Sequence, residues 1–285
     1  MRIAAVQFYT EKDTEKNWER TEVYIKKAAA DKVDLIIFPE FFLVSDAAQI
    51  LVKPLERFAA LAQKYKVDIV TGTYGFKDPA DGKIYNCCSY VDWNGKVLYT
   101  YRKVHLWIPE RKLCTPGKHF GTLTNRFGIK IGLCVCWDIA FNDGFTEMAL
   151  NQGAELIIAP ALWCLEDAGF VGLAYDPDSE RKLVNAMCTA RAFENEIVMV
   201  FVNGSASPRY YGTVDPANDM VLPGDFGTLA GQTQIAVPFK GAVCRCNHYY
   251  EEMIVQNVDV GRLTRDAEKV YQIRSDWAIK KAAKL

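Results

Sequence analysis

The chain has 285 residues, 50% hydrophobic and 24% charged, with 34 basic and 35 acidic side chains. That composition suits a globular protein with one large core and excludes disordered, collagen-like and disulfide-stapled miniature classes. A net charge of −1 offers no basic excess for nucleic acid or an anionic membrane, so a small-molecule partner is expected.

The nine cysteines are odd in number and sit mostly in apolar, strand-like runs, which points to free thiols in a reducing compartment. There is no Cys-x-x-Cys, only three histidines occur, and no Cys/His cluster has zinc spacing, so neither a metal nor a cofactor is expected. The apolar stretch 3–6 is too short for a signal-peptide core, and no run approaches the roughly 18 apolar residues of a membrane span. A cytoplasmic location is the expectation.

Along the chain, residues 3–8 read as a strand, 17–30 as a helix and 33–38 as a strand. A helix over 54–65 and a β-branched strand over 67–74 follow. Strands alternating with helices form βαβ units. Residues 84–101 read as two strands around Asn94-Gly95, a hairpin signal, which makes the sheet mixed.

The second half echoes the first. A strand over 129–136, a helix over 143–151 and an apolar strand over 155–160 repeat the order, and Glu-Leu-Ile-Ile-Ala-Pro resembles the earlier Asp-Leu-Ile-Ile-Phe-Pro at 34–39. Two βαβ halves predict a sandwich of two sheets with helices outside. Asp176-Pro177-Asp178 predicts the start of the longest helix, running to about Asn195. Strands are predicted at 197–202, 227–237 and 253–258. With no linker visible, the expected division is one domain over 1–275 and a Lys-rich tail, 276–285, that is solvated or contacts another subunit.

In α/β sheets, reactive side chains collect at the carboxyl ends of strands. Glu40, Lys103 and Cys136 all stand there. Singly, each has a plain structural reading as loop carboxylate, surface lysine or inert buried thiol. Together they suit attack on an amide or nitrile carbon: Glu40 takes the thiol proton of Cys136, and Lys103 with the Trp137 N–H stabilises the oxyanion.

Phe-Pro-Glu (38–40), Tyr-Arg-Lys-x-His-Leu (101–106) and Gly-Leu-Cys-Val-Cys-Trp-Asp (132–138) resemble the three motifs of the nitrilase superfamily, carbon–nitrogen hydrolases with a Glu-Lys-Cys triad. Thr-Pro-Gly (115–117), Gly-Ala-Glu-Leu-Ile-Ile-Ala-Pro (153–160) and Ala-Arg-Ala-Phe-Glu-Asn-Glu (190–196) extend the likeness over about residues 1–270. The resemblance implies a four-layer α-β-β-α sandwich, Glu40 as base, Lys103 as oxyanion stabiliser and Cys136 as the nucleophile that forms a thioester. It also implies that Glu110 orients Lys103 and the substrate or attacking water, and that copies associate as homodimers or larger homo-oligomers. Asp138 resembles the amidase and carbamoylase branches. Asn142-Asp143 departs from the common Pro-Glu, and there Asn142 is expected to cap the following helix.

Trp137, Trp163 and Phe41 are the expected substrate-binding walls, with Ala161, Leu162 and Phe42 nearby. Cys134 is expected to pack rather than react, and Arg191 to pair with Glu194 or Glu196. The segments 164–175 and 205–224 are long enough for lids or subunit contacts. The leading expectation is an amidohydrolase acting on a small linear amide or N-carbamoyl compound. The alternatives are a nitrilase, a catalytically inactive binding protein with the same fold, and a Cys-His enzyme using His105.

Overall fold

The computed structural model describes residues 1–44, 49–207 and 228–283. The first half runs β1 (Arg2–Gln7), α1 (Thr14–Ala30), β2 (Leu35–Ile37), α2 (Leu55–Tyr65), β3 (Asp68–Lys77), β4 (Ile84–Val91) and β5 (Val97–Arg102). The second runs β6 (Thr122–Thr124), β7 (Lys130–Leu133), α3 (Asp143–Phe145) continued by a π-helical turn (Thr146–Asn151), and β8 (Leu156–Pro160). It ends with α4 (Gly169–Tyr175), α5 (Ser179–Glu194), β9 (Val198–Val202), β10 (Gln234–Val237) and β11 (Gly241–Arg245). Then come β12 (Glu252–Asn257), α6 (Val260–Tyr271) and α7 (Ile273–Ala282).

Two six-stranded sheets result, β12-β1-β2-β3-β4-β5 and β6-β7-β8-β9-β10-β11. Each has three parallel strands in the middle, one antiparallel strand before them and two after. The duplication visible in the sequence is therefore a duplication of topology, with β12 in the place that β6 fills in the other half.

The two-residue period of a strand divides the side chains between layers. Ile3, Ala5, Leu35, Ile37 and Val70 share a core with Ile131, Leu133 and Ile157 of the opposite sheet. Their neighbours Ala4, Val6, Ile36 and Ile69 pack with Ile25, Ala28, Phe58 and Ala62 of α1 and α2. On the far side α5 lies over β9, β10 and β11, with Val184, Cys188 and Ala192 buried. The layers are thus α, β, β, α, each fully buried large apolar side chain contributing about 1.5–3 kcal/mol.

Several boundaries differ from the sequence reading. α1 begins at Thr14 because Asp13 caps it, accepting the N–H groups of Glu15 and Lys16. With 17 residues it, and not the 16-residue α5, is the longest helix. Pro177 precedes α5, and the Asp178 carboxylate bonds Arg181 instead of the helix N–H groups. In the hairpin only Gly95 takes a positive φ; the Asp92 side chain holds the rest of that turn by accepting the Asn94 and Lys96 N–H groups. Strands β6 and β11 and helices α6 and α7 were not foreseen. In α6 Val260, Thr264 and Ala267 are buried, with Leu263 packed against the core. The expected division at 275/276 falls within α7, which docks through Arg274 on the carbonyls of Ala149, Ala154, Asn195 and Glu196. Segment 164–175 forms a 3₁₀ turn (Leu165–Ala168) followed by α4, while 208–224 of the other long segment lie outside the described residues. No helix among the described residues is long and apolar enough to cross a membrane.

Candidate active site

The parallel strands β2 and β8 end side by side, and a cross-sheet hydrogen bond joins their loops: the Glu40 N–H donates to the Ala161 carbonyl at 3.2 Å. Immediately beyond Glu40 the backbone turns through Phe41 at φ +50°, its N–H held by Thr73 Oγ1 at 3.1 Å. That turn nests on Gly72, where an added Cβ would stand 2.1 Å from the Pro39 carbonyl oxygen. Gly117 of Thr-Pro-Gly has a similar use, since an added Cβ would lie 2.1 Å from the Arg102 carbonyl oxygen beside Lys103.

Glu40 and Lys103 are almost fully buried, at 2% and 1% exposure. The ammonium Nζ donates to Glu40 Oε1 at 3.0 Å and to Glu110 Oε2 at 2.5 Å. Asn86 bridges the same two carboxylates, its Nδ2 donating to Glu40 Oε1 at 2.7 Å and to Glu110 Oε1 at 2.8 Å. Glu110 also takes the Trp107 N–H at 2.9 Å. Burial pushes the Glu40 carboxyl above the ordinary range, with the charge of Glu110 adding to the effect and Lys103 opposing it. Lys103 is desolvated too, but the charges of Glu40 and Glu110 oppose that and hold it cationic.

Cys136 does not close a strand as expected. β7 ends at Leu133, and Cys136 opens a 3₁₀ turn (Cys136–Ala140) at φ +47°, an uncommon backbone angle for a residue with a Cβ. The bend places its side chain on the same cavity as Glu40, Lys103 and Glu110. One residue reaches both carboxylate and thiol: the Leu162 N–H donates to Glu40 Oε2 at 2.9 Å, and the Leu162 carbonyl lies 3.8 Å from Cys136 Sγ. Burial raises the Cys136 pKa well above that of an ordinary thiol, as do the nearby carboxylates, against the pull of Lys103. The resting sulfur is therefore a protonated thiol that needs a base.

Asp138 fastens the lysine loop to the cysteine loop. Its Oδ2 accepts the Tyr101 hydroxyl and the Val135 N–H, both at 2.8 Å, and its Oδ1 accepts the His105 N–H at 2.8 Å. The His105 ring contacts Asp138 and Asp143 and stacks on Phe141 with centroids 4.1 Å apart. It lines a second hollow, not the cavity holding Cys136, so the Cys-His alternative has no geometry here.

The cavity of about 280 Å³ is lined by Phe41 and Leu162, both named from the sequence, and by Ile50, Trp107, Cys164 and Asp167. Trp137 stands behind it, against Trp107 at 4.5 Å, and lines the second hollow. Trp163 is buried and donates its indole N–H to Glu180 at 2.6 Å. Asn142 does not cap the following helix; its oxygen accepts the Asn195 amide at 3.2 Å. Arg191 pairs with Glu194, while Glu196 turns toward α7. All nine cysteines are free, and Cys134 is buried in the core. Among the described residues one mixed cluster, Cys246, His248 and Glu252, brings potential metal-binding atoms within 4.8 Å. Its imidazole is already engaged, with Nε2 2.8 Å from Glu252 and Nδ1 accepting the Tyr250 N–H at 3.1 Å.

A carbon-nitrogen hydrolase family model matches residues 2–267. The chain belongs to this family, the nitrilase superfamily. An (R)-stereoselective amidase from Pseudomonas sp. is 33% identical over 211 residues, 71% of this chain and 70% of that protein. Among solved structures, Saccharomyces cerevisiae Nit3, a member of branch 10 of the nitrilase superfamily, superposes with a TM-score of 0.78 at 20% identity, covering 95% of this chain and 94% of its own. An amidase from Nesterenkonia sp. AN1 in complex with butyramide gives 0.73 at 20% identity, with 93% of both chains covered. A further structure of that amidase carries the acetamide moiety of fluoroacetamide on its active-site cysteine. The α-β-β-α fold expected from the sequence is thus the nitrilase fold, and the protein is a carbon–nitrogen hydrolase.

Proposed function

We propose that this hydrolase is an amidase, cleaving small linear amides or N-carbamoyl compounds through a Cys136 thioester. The observation that carries the reading is the convergence of a buried carboxylate, a buried ammonium and a thiol on one cavity, with Leu162 bonded to the base and facing the sulfur. The likeness to two amidases supports it.

Because the resting sulfur is a thiol, Glu40 removes its proton as the S–C bond forms. The carbonyl π electrons move to oxygen. Lys103 has three N–H donors, two of them held by Glu40 and Glu110, and the third stabilises the oxyanion together with the Trp137 N–H at the start of the 3₁₀ turn. Collapse breaks the C–N bond, and the leaving nitrogen departs with the proton from Glu40. Water then attacks the thioester and gives its proton to Glu40, and the second collapse releases the acid and returns the proton to sulfur. Glu110 holds Lys103 and the water in line.

The test is ammonia or amine release from a panel of amides, N-carbamoyl amines and nitriles, with mass spectrometry of the trapped acyl-enzyme. The expected result is turnover of carbonyl compounds, an acyl adduct on the Cys136 peptide, and no turnover by Cys136→Ala or Lys103→Ala while Cys134→Ala stays active. Turnover of nitriles alone would overturn the amidase reading, and full activity in Cys136→Ala would overturn the mechanism.

A further inference from the structure

Asp167 is the cavity carboxylate that the mechanism leaves unused. It sits on the 3₁₀ turn (Leu165–Ala168) that follows β8, and its Oδ2 accepts the Cys164 N–H at 2.8 Å. Among the described residues no hydrogen bond or ion pair engages Oδ1, and the carboxylate lines the same cavity as Cys136.

Burial is the main reason its carboxyl is pushed up to about 7, and the leading charges acting on it among the described residues, Glu180, Glu166 and Glu40, are all acidic. Lys103 is the sole cation among the described lining residues, and Glu40 and Glu110 already hold it. The other walls are largely apolar, from Phe41, Ile50, Trp107, Pro109, Leu113 and Leu162. A substrate carboxylate therefore meets an apolar wall and a surplus of negative charge. An ammonium group meets a partly desolvated carboxylate that has no counter-ion among the described residues, where a charge-assisted hydrogen bond is strongest.

Resting on the amidase reading, we propose that Asp167 is a substrate-recognition residue that binds a protonated amine at the end of the substrate remote from the scissile amide. The substrate class is an aminoalkyl amide or aminoalkyl urea whose methylene chain crosses the apolar part of the cavity. The aliphatic stem supplies burial, and the ammonium gives Asp167 Oδ1 the partner that no described residue supplies. Discrimination then falls on charge, because a neutral chain of equal length fills the same space but leaves the carboxylate unpaired.

The experiment compares 5-aminopentanamide, pentanamide and 4-carbamoylbutanoate, which share chain length and differ in the terminal group. Wild type is expected to favour the ammonium compound over pentanamide by at least tenfold in kcat/KM and to turn over the carboxylate compound slowest. Asp167→Asn keeps an oxygen for the Cys164 N–H. It is expected to lose at least tenfold on 5-aminopentanamide, mainly in KM, while pentanamide stays within about threefold. Equal kcat/KM for the ammonium and neutral amides in wild type, or an equal loss on all three in Asp167→Asn, would overturn the proposal.

Binding separates this failure from failure of the amidase reading. If wild type turns over none of the three, thermal shifts of Cys136→Ala with and without Asp167→Asn still read the subsite. Stabilisation by 5-aminopentanamide but not pentanamide, lost in the double variant, supports it; no difference overturns it.

Discussion

Replacing Asn86 with alanine removes the amide that ties Glu40 to Glu110 while leaving Lys103 and Cys136 in place. Two hydrogen bonds are lost, one of 2.7 Å to the buried Glu40 carboxylate and one of 2.8 Å to the half-buried Glu110, each worth about 1.5–3 kcal/mol when the acceptor is charged. For Glu40 this deletes one of three donors, leaving Lys103 and the Leu162 N–H. A loss of about 2 kcal/mol in stabilising the ionised form corresponds to an upward shift of roughly 1.5 pKa units. Glu40 is already raised by burial, so the base ionises only at still higher pH. The expected result is a fall of about 10–100-fold in activity near pH 7 and a displacement of the acidic limb of the pH profile by about one unit or more. Two assays read it: ammonia release across pH, and the rate of iodoacetamide alkylation of the Cys136 peptide by mass spectrometry, which needs no knowledge of the substrate. Thermal unfolding reports whether the variant is folded. A folded Asn86→Ala with wild-type rate and an unshifted profile refutes the reasoning.

Arg274→Ala should free α7 from four backbone carbonyls, costing about 2–4 kcal/mol, read as a lowered Tm and faster amide exchange in 273–282. Catalysis by the folded variant should persist, because none of the four carbonyls belongs to a residue lining the cavity. Burial, with the neighbouring Glu268, raises the Glu196 carboxyl to about 7 from 4.5, so between those values the folded protein holds a proton that the unfolded chain has lost. Stability attributable to Glu196 therefore falls as pH rises through that window. Glu196→Gln should flatten this slope and raise Tm at pH 8 relative to wild type, and an unchanged pH dependence of Tm would count against the assignment. On α4, Phe170 and Tyr175 are 87% and 89% exposed, an apolar face suited to association of copies. Light scattering should find an oligomer for wild type and monomers for Phe170→Asp; a monomeric wild type refutes that expectation.

The alternation of strands and helices and the motifs around Glu40, Lys103 and Cys136 were legible because they are local. Period-two burial and strand-end placement are written in neighbouring residues. What joins them was not. Asn86 lies in Tyr-Asn-Cys-Cys-Ser-Tyr, where its only signal is an amide inside an otherwise buried strand, a group that must find partners. Those partners come from a loop 46 residues earlier and a turn 24 residues later, a juxtaposition that pairing alone reveals. Leu162 was placed near the substrate walls, but it acts through its backbone N–H and carbonyl, and no side-chain pattern could mark that role. The positive φ of Cys136 was equally hidden, since cysteine carries no preference for that region. Trp137 and Trp163 lie next to Cys136 and Leu162 in sequence, but the 3₁₀ turn and the bond to Glu180 direct their side chains away from the cavity.

The strand order also bears on how the chain reaches its native state. β1 lies between β2 and β12, and its antiparallel ladder with β12 runs from Arg2↔Asn257 to Gln7↔Glu252. Some 250 residues separate these partners, so the edge of β1 stays open until about that length of chain has followed it out of the ribosome. Until then an apolar strand displays unpaired N–H and C=O groups, the template on which nascent chains aggregate. Glu40 follows the strand paired with β1, so its carboxylate is seated on a sheet whose sixth strand is made only after the whole of the other sheet.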